Sequence, residues 1–142
     1  MAVTGKLYGL IGMSVLNKEA DLLLDDVRVM LCTSSYVPNQ DTHDYIDHVT
    51  NEVVGVGYTA GGKALTGKVL TYDPATNKTT FAAANVTWDA ATITARIAVL
   101  YVNTGSKPVL AWMDFGENRS SAGDDFTIAW GAGGIFTFTT PA

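Results

Sequence analysis

The chain has 142 residues, of which 47% are apolar and only 16% charged, with a net charge of −5. That length suits one domain with one sizeable core, and the apolar content excludes a disordered chain. The 9 Lys and Arg are scattered singly rather than gathered in a stripe, so direct nucleic-acid binding is not expected.

Lys6 followed by LYGLIGMSVL has the charge order of a targeting signal. The apolar run is about half the roughly 20 residues that cross a bilayer, and no small-x-small cleavage pattern follows before Asn17-Lys18-Glu19. Neither secretion nor a membrane partner is expected. Leu7, Leu10, Ile11 and Val15 approximate a helical stripe, but Gly5, Gly9 and Gly12 each weaken a helix by about 1 kcal/mol. Residues 1–20 are therefore expected as an arm or a helix preceding a β-domain over 21–142. Leu7, Leu10 and Ile11 are costly to leave in water, at about 25 cal/mol per Å². They are candidates for core or interface.

DVRVMLC reads as a strand with Val27, Val29 and Leu31 on one face, Arg28 outward, and Met30 and Cys32 half-buried. TSSYVPNQD reads as a loop. Asp41 is placed to cap a short helix from Thr42 to about Thr50, with Tyr45, Ile46 and Val49 a turn apart. On such a helix His43 and His48 would point roughly 140° apart and could not share a metal ion. Cys32 is the only cysteine, which excludes an intrachain disulfide and a thiolate cluster. Its expected role is that of a small buried side chain.

The glycine-rich GVGYTAGGKALTG matches the first seven positions of the phosphate-binding pattern at Gly57, Gly62 and Lys63. Ala64 then replaces the hydroxyl that would hold magnesium, and no helix follows. The glycines are expected to serve positive φ or close backbone approach. VLTYD and KTTFAAA flank Asp73 to Asn77, a turn-forming run that predicts a hairpin. Val86-Thr87-Trp88 opens the second half, followed by TITARIAVLYV, VLAWMDF, DFTIAW and GIFTFT, separated by Gly, Pro, Ser and Asn. Seven to nine short strands are expected. Together they predict a mainly β fold: an antiparallel β-sandwich or jelly-roll-like single domain with one or two short helices.

No catalytic, cofactor-binding or metal-binding residue is assigned. There is no G-x-S-x-G elbow, and Asp25-Asp26, Asp44-Asp47 and Asp124-Asp125 lack calcium-loop spacing, so turn or cap carboxylates are expected there. The N-x-[ST] triplets at Asn77, Asn85 and Asn118 occur at a frequency expected by chance. Trp88, Trp112 and Trp130 would suit sugar stacking only if exposed.

Four ordered phrases, DVRVMLCTSSYVPNQDTHDYIDHV, EVVGVGYTAGGKALTGKVLTYD, VTWDAATITARIAVLYVNTG and LAWMDFGENRSSAGDDFTIAWGAGGIFTFT, resemble a family of small virion structural proteins of tailed bacteriophages. They span about four fifths of the chain, from Asp26 onward. The resemblance implies a non-enzymatic capsid decoration or cement protein that binds the major capsid protein or other virion proteins. It would sit on the capsid surface after assembly in the host bacterial cytoplasm. It transfers no cofactor and no active-site residue. That role would favour a homo-oligomer, for example a trimer. The alternative is a tail or fibre-associated module that binds host-surface glycans.

Overall fold

The computed structural model describes residues 2–3 and 5–141. Its strands are β1 (Ala2–Val3), β2 (Lys6–Leu7), β3 (Val27–Cys32), β4 (Lys63–Ala64), β5 (Val69–Asp73), β6 (Lys78–Ala82), β7 (Val86–Val102), β8 (Val109–Trp130) and β9 (Phe136–Thr139). One helix, α1 (Ile11–Leu16), and a 3-10 turn at Ile46–His48 complete the regular structure. The fold is mainly β and sandwich-like. A six-stranded sheet in the order β1-β8-β7-β3-β4, with β2 also on β8, faces a three-stranded sheet in the order β5-β6-β9. All pairings are antiparallel except β1 with β8.

β7 and β8 form the centre of the larger sheet. VLAWMDF and DFTIAW, read from sequence as two strands, are one 22-residue strand. The intervening GENRSSAGDD stays paired to β7, with Thr94 opposite Ser120 and Ala95 opposite Arg119. Its glycines serve bulges instead of a chain reversal: Gly116 and Gly123 have φ of 81° and 78°. On β7 the core-facing positions run Val86, Trp88, then Ala91, Ile93, Ala95, then Ala98, Leu100, Val102. Each change of phase falls at an irregularity in the ladder, between Trp88 and Ala91 and between Ala95 and Ile97. Ala90, at φ 45°, is the extra residue of the first.

The main core lies between the sheets and joins Val27, Val29, Leu31, Leu100 and Met113 of the larger one to Phe81 and Phe136 of the smaller. A second core occupies the other face of the larger sheet. There Met30, Cys32, Ile97, Val99, Tyr101 and Val109 pack with Tyr8 and Tyr36 under the segment 33–50. This corrects the expectation of half-buried Met30 and Cys32, which are buried because the segment covers them. It also explains why the second half of β7 is apolar on both faces.

The helix expected over Thr42 to Thr50 does not form, beyond the three-residue 3-10 turn. Asp41 caps nothing; its own N–H and that of Thr42 donate to Asn39 Oδ1. Tertiary pairing overrides the helical spacing. Ile46 N–H donates to Lys107 O, Val109 N–H to Asp44 O, and Tyr45 bridges Pro108, which keeps the segment extended beside β8. Residues 1–20, expected as an arm or a helix, hold both extended and helical pieces among their described residues. β1 and β2 pair with β8, and α1 follows. The hairpin at residues 74–77 forms as expected, with Asn77 at φ 56° and Asp73 Oδ1 accepting the Ala75 N–H.

The glycine-rich loop lies flat on β3 and β7. A Cβ at Gly62 would stand 1.8 Å from Val29 O, and one at Gly57, 2.8 Å from Ala91 Cα; their φ angles are 79° and 84°. Gly62→Ala is expected to cost about 2–4 kcal/mol, combining left-handed strain with a backbone clash. Gly105→Ala, at φ 59° with open space around it, should cost only about 1–2 kcal/mol. Thermal melts of the two variants check this difference.

Candidate functional surface

α1 begins after Leu10, which offers no side-chain cap, and ends where Lys18 turns left-handed at φ 61°. Asn17 N–H donates to Met13 O and Glu19 N–H to Ser14 O, which closes the helix despite its six residues. One face is covered: Ser14 is buried and Ile11 packs on the main core. The other face holds Met13 at 70% and Leu16 at 87% exposure.

The turn after α1 adds to this surface. Asp21 Oδ1 accepts the N–H groups of Leu23 and Leu24, while Asp25 Oδ2 accepts that of Asp21. This winding drives Leu22 toward the core and leaves Leu24 86% exposed. Beside it stands β5, every residue of which is exposed, including Val69, Leu70 and Tyr72. Between α1 and the smaller sheet runs an open groove of about 490 Å³, lined chiefly by Ile11, Val15, Leu22, Leu70 and Phe138. Lys18 and Asp21 are its charged members. Large exposed apolar groups gathered on one face are uncommon on monomers and mark contact sites.

Of the three candidates named from sequence, Leu7 and Ile11 are half-buried against the main core. Leu10 is half-buried in an adjacent depression with Met13 and Leu16. The large apolar side chains of α1 and the following turn that stand furthest into solvent are Met13, Leu16 and Leu24. A helical count from Ile11 would put Val15 with the stripe, but it gives no reason to single out residues 23–24, whose orientation comes from the Asp21 side chain.

Several other polar groups are held in structural pairs. The Arg28 guanidinium, 2.8 Å from Asp26 Oδ2, holds that carboxyl below its usual range, and the Asn103 amide adds to this. Arg96 likewise lowers Asp114 across 2.6 Å. Tyr58 O–H donates to Glu52 Oε2 at 2.7 Å and accepts the Leu31 N–H at 3.0 Å, while Gly61 N–H donates to the same carboxylate. Burial pushes the Tyr58 hydroxyl well above its ordinary value, with the Glu52 bond adding to it. Lys63 Nζ donates to Thr87 O, so the lysine of the phosphate-like pattern is tied to β7. Among the described residues no group of three or more His, Cys, Asp or Glu could hold a metal ion.

His43 and His48 are not splayed apart as the helical reading required. Their rings stack at 5.3 Å and 15°, because the chain around them is extended and turned, not helical. Trp88 is buried, and Trp112 and Trp130 are half-buried. Trp112 packs on Tyr8 at 4.8 Å, and Trp130 Nε1 donates to Ala84 O. None of the three is an exposed stacking platform. Among the described residues no helix is long and apolar enough to cross a membrane.

Burial, with Glu52 nearby, pushes the Cys32 thiol up to about 12. Thiolate is the reactive form. In the native protein at about pH 8 a thiol reagent should leave Cys32 unlabelled over the time in which the denatured chain reacts fully; equal rates in the two states would contradict this placement.

Comparison with protein-family models, curated proteins and solved structures finds no match to this chain.

Proposed function

We propose that the protein is a non-enzymatic structural component of a tailed-bacteriophage virion, which decorates or cements the capsid by binding the major capsid protein or another virion protein. The observation that carries the reading is the apolar groove lined by Ile11, Val15, Leu22, Leu70 and Phe138 on a doubly cored β-scaffold, together with the exposed Met13 and Leu16 on the other side of α1 and the exposed Leu24. Such a face stabilises a complex by about 25 cal/mol for each Å² of apolar surface it loses to a partner. The resemblance of the four sequence phrases to phage virion proteins supplies the kind of partner.

Rigidity supports the same reading. A particle component must present one surface in many copies, and a sheet packed on both faces holds its strands in one register. The lone candidate nucleophile, Cys32, is buried, and the paired carboxylates Asp26 and Asp114 are engaged by arginines.

The test is location and dependence. A cryo-EM map or immunogold labelling of the particles should place the protein on the capsid surface; finding it on the tail alone, or absent from particles, overturns the assignment. Leu16→Asp and Leu24→Asp should leave the isolated protein's stability within about 0.5 kcal/mol, as expected for exposed positions, while reducing incorporation into particles. Unchanged incorporation would remove the Leu16 and Leu24 side chains from the interaction.

A further inference from the structure

The segment that covers the second core is fastened by a chain of hydroxyls and imidazoles whose proton directions can be read from geometry. Asn39 N–H, which can only donate, points at His43 Nδ1 at 3.3 Å. Nδ1 is therefore bare, and the ring carries its proton on Nε2. The Tyr36 hydroxyl, 2.9 Å from the same Nδ1, must then donate to it. Tyr8, whose hydroxyl lies 2.7 Å from that of Tyr36, donates in turn to Tyr36. Tyr8 is fully buried and Tyr36 nearly so. The run Tyr8 to Tyr36 to His43 is thus a one-way relay that exists only while His43 is neutral.

We propose that this relay is an acid-released latch: protonation of His43 frees residues 36–43 from the second core, while residues 44–46 stay fastened to residues 107–109. A proton on Nδ1 faces the Asn39 N–H and removes the acceptor at the end of the relay. Tyr36 would then accept from His43, leaving one of the two buried hydroxyl protons, that of Tyr36 or that of Tyr8, without an acceptor. An unsatisfied buried donor costs about 1–3 kcal/mol. The backbone of residues 44–46 does not depend on the relay, since Val109 N–H donates to Asp44 O and Ile46 N–H to Lys107 O.

His48 adds to the effect from the opposite side. Its Nδ1 lies 3.0 Å from Asp44 Oδ1, which takes no hydrogen bond from any other described group, and 3.4 Å from the Asp44 N–H. Protonating His48 turns that contact into an ion pair and satisfies the carboxylate. It also places a cation in stacking contact with His43. The other charged or titratable groups around the pair are Asp47, 3.9 Å from His48, and Cys32 of β3, beside Tyr8 and Tyr36. The Arg96–Asp114 pair borders Tyr36, and Glu19 accepts the Tyr45 hydroxyl. Imidazoles are the side chains whose ordinary charge change falls between about pH 5 and 8.

The sign follows from the same arrangement. Burial, then the neighbouring His48, lower the His43 pKa, with Asp44 opposing. The unlatched form binds the proton better, so the latch's contribution is fully present above the ordinary histidine value of about 6.5 and is lost as pH falls through the depressed one.

Amide exchange of the full-length protein by NMR, corrected for intrinsic rates, tests this between about pH 7 and pH 5. The Gly9 and His43 amides, which donate to Gln40 O and Asn39 O, should lose about fivefold or more in protection, the factor that leaving one buried donor without an acceptor confers. The Ile46 and Val109 amides should not change with them. His43→Asn offers an amide oxygen in place of Nδ1 and cannot titrate, so it should remove the pH dependence. Unchanged protection at Gly9 and His43 in the native protein overturns the latch, as does an equal acid loss in His43→Asn. If that variant does not fold, the native-protein measurement alone decides. His48→Gln removes one cause of the lowered His43 value, so the loss of protection between about pH 7 and pH 5 should be smaller than in the native protein; an equal or larger loss contradicts the part assigned to His48.

Discussion

The pairing of Val86–Val102 with Val109–Trp130 carries the rest of the molecule. β3 adds to one side of this ribbon in a six-residue register, and β1 and β2 add to the other. Both hydrophobic cores draw on it: Ala98, Leu100 and Val102 point into one, and Ile97, Val99 and Tyr101 into the other. A strand with two buried faces needs cover on each side. The three-stranded sheet supplies one layer and the 33–50 segment supplies the second, largely without regular structure of its own. The 33–50 cover is fastened through the buried Tyr8 and Tyr36 hydroxyls, which bond to each other and on to His43.

The two sheets treat their edges differently. The free side of β3 is closed by the glycine-rich loop: Val53 N–H donates to Leu31 O, Leu65 N–H donates to Val27 O, and the Tyr58 hydroxyl takes the Leu31 N–H. Gly57 and Gly62 allow that approach. Among the described residues no such cover lies on β5, whose five residues are all exposed. A covered edge resists pairing with other chains and an uncovered one invites it. The apolar face proposed for virion contact adjoins the uncovered edge.

Much of the fold was legible from residue patterns. Period-two alternation marked β3 and most of β7, and the Asp73 to Asn77 run marked the one tight hairpin. The glycine reading also held, since Gly57 and Gly62 combine positive φ with close approach. The GENRSSAGDD run misled because glycine, serine and asparagine signal turns and bulges alike, and only the partner strand decides between them. The Thr42 to Thr50 helix failed for a related reason. Its spacing was helical, but bonds to Lys107 and from Val109, more than fifty residues away in sequence, set its backbone. The histidine stack and the tyrosine relay were invisible for the same cause. Leu7, Leu10 and Ile11 were singled out on apolarity alone, whereas exposure was decided by the Asp21-wound turn and by the side of α1 that met the core.

The irregularities in β7 act as phase shifts in an alternating code. Before Ala90 the even positions, Val86 and Trp88, face the main core; after it the odd ones do, and past Ala95 the even ones again. Straightening the ladder with Ala90 still present would turn Val86 and Trp88 to solvent and bring Thr87 and Asp89 inward, whereas losing Ala90 together with its bulge would leave them facing the core. The ribbon is therefore length-locked: a change of one residue on either strand must be matched by loss or gain of a bulge, whereas the turn at residues 103–108, outside both strands, escapes that constraint.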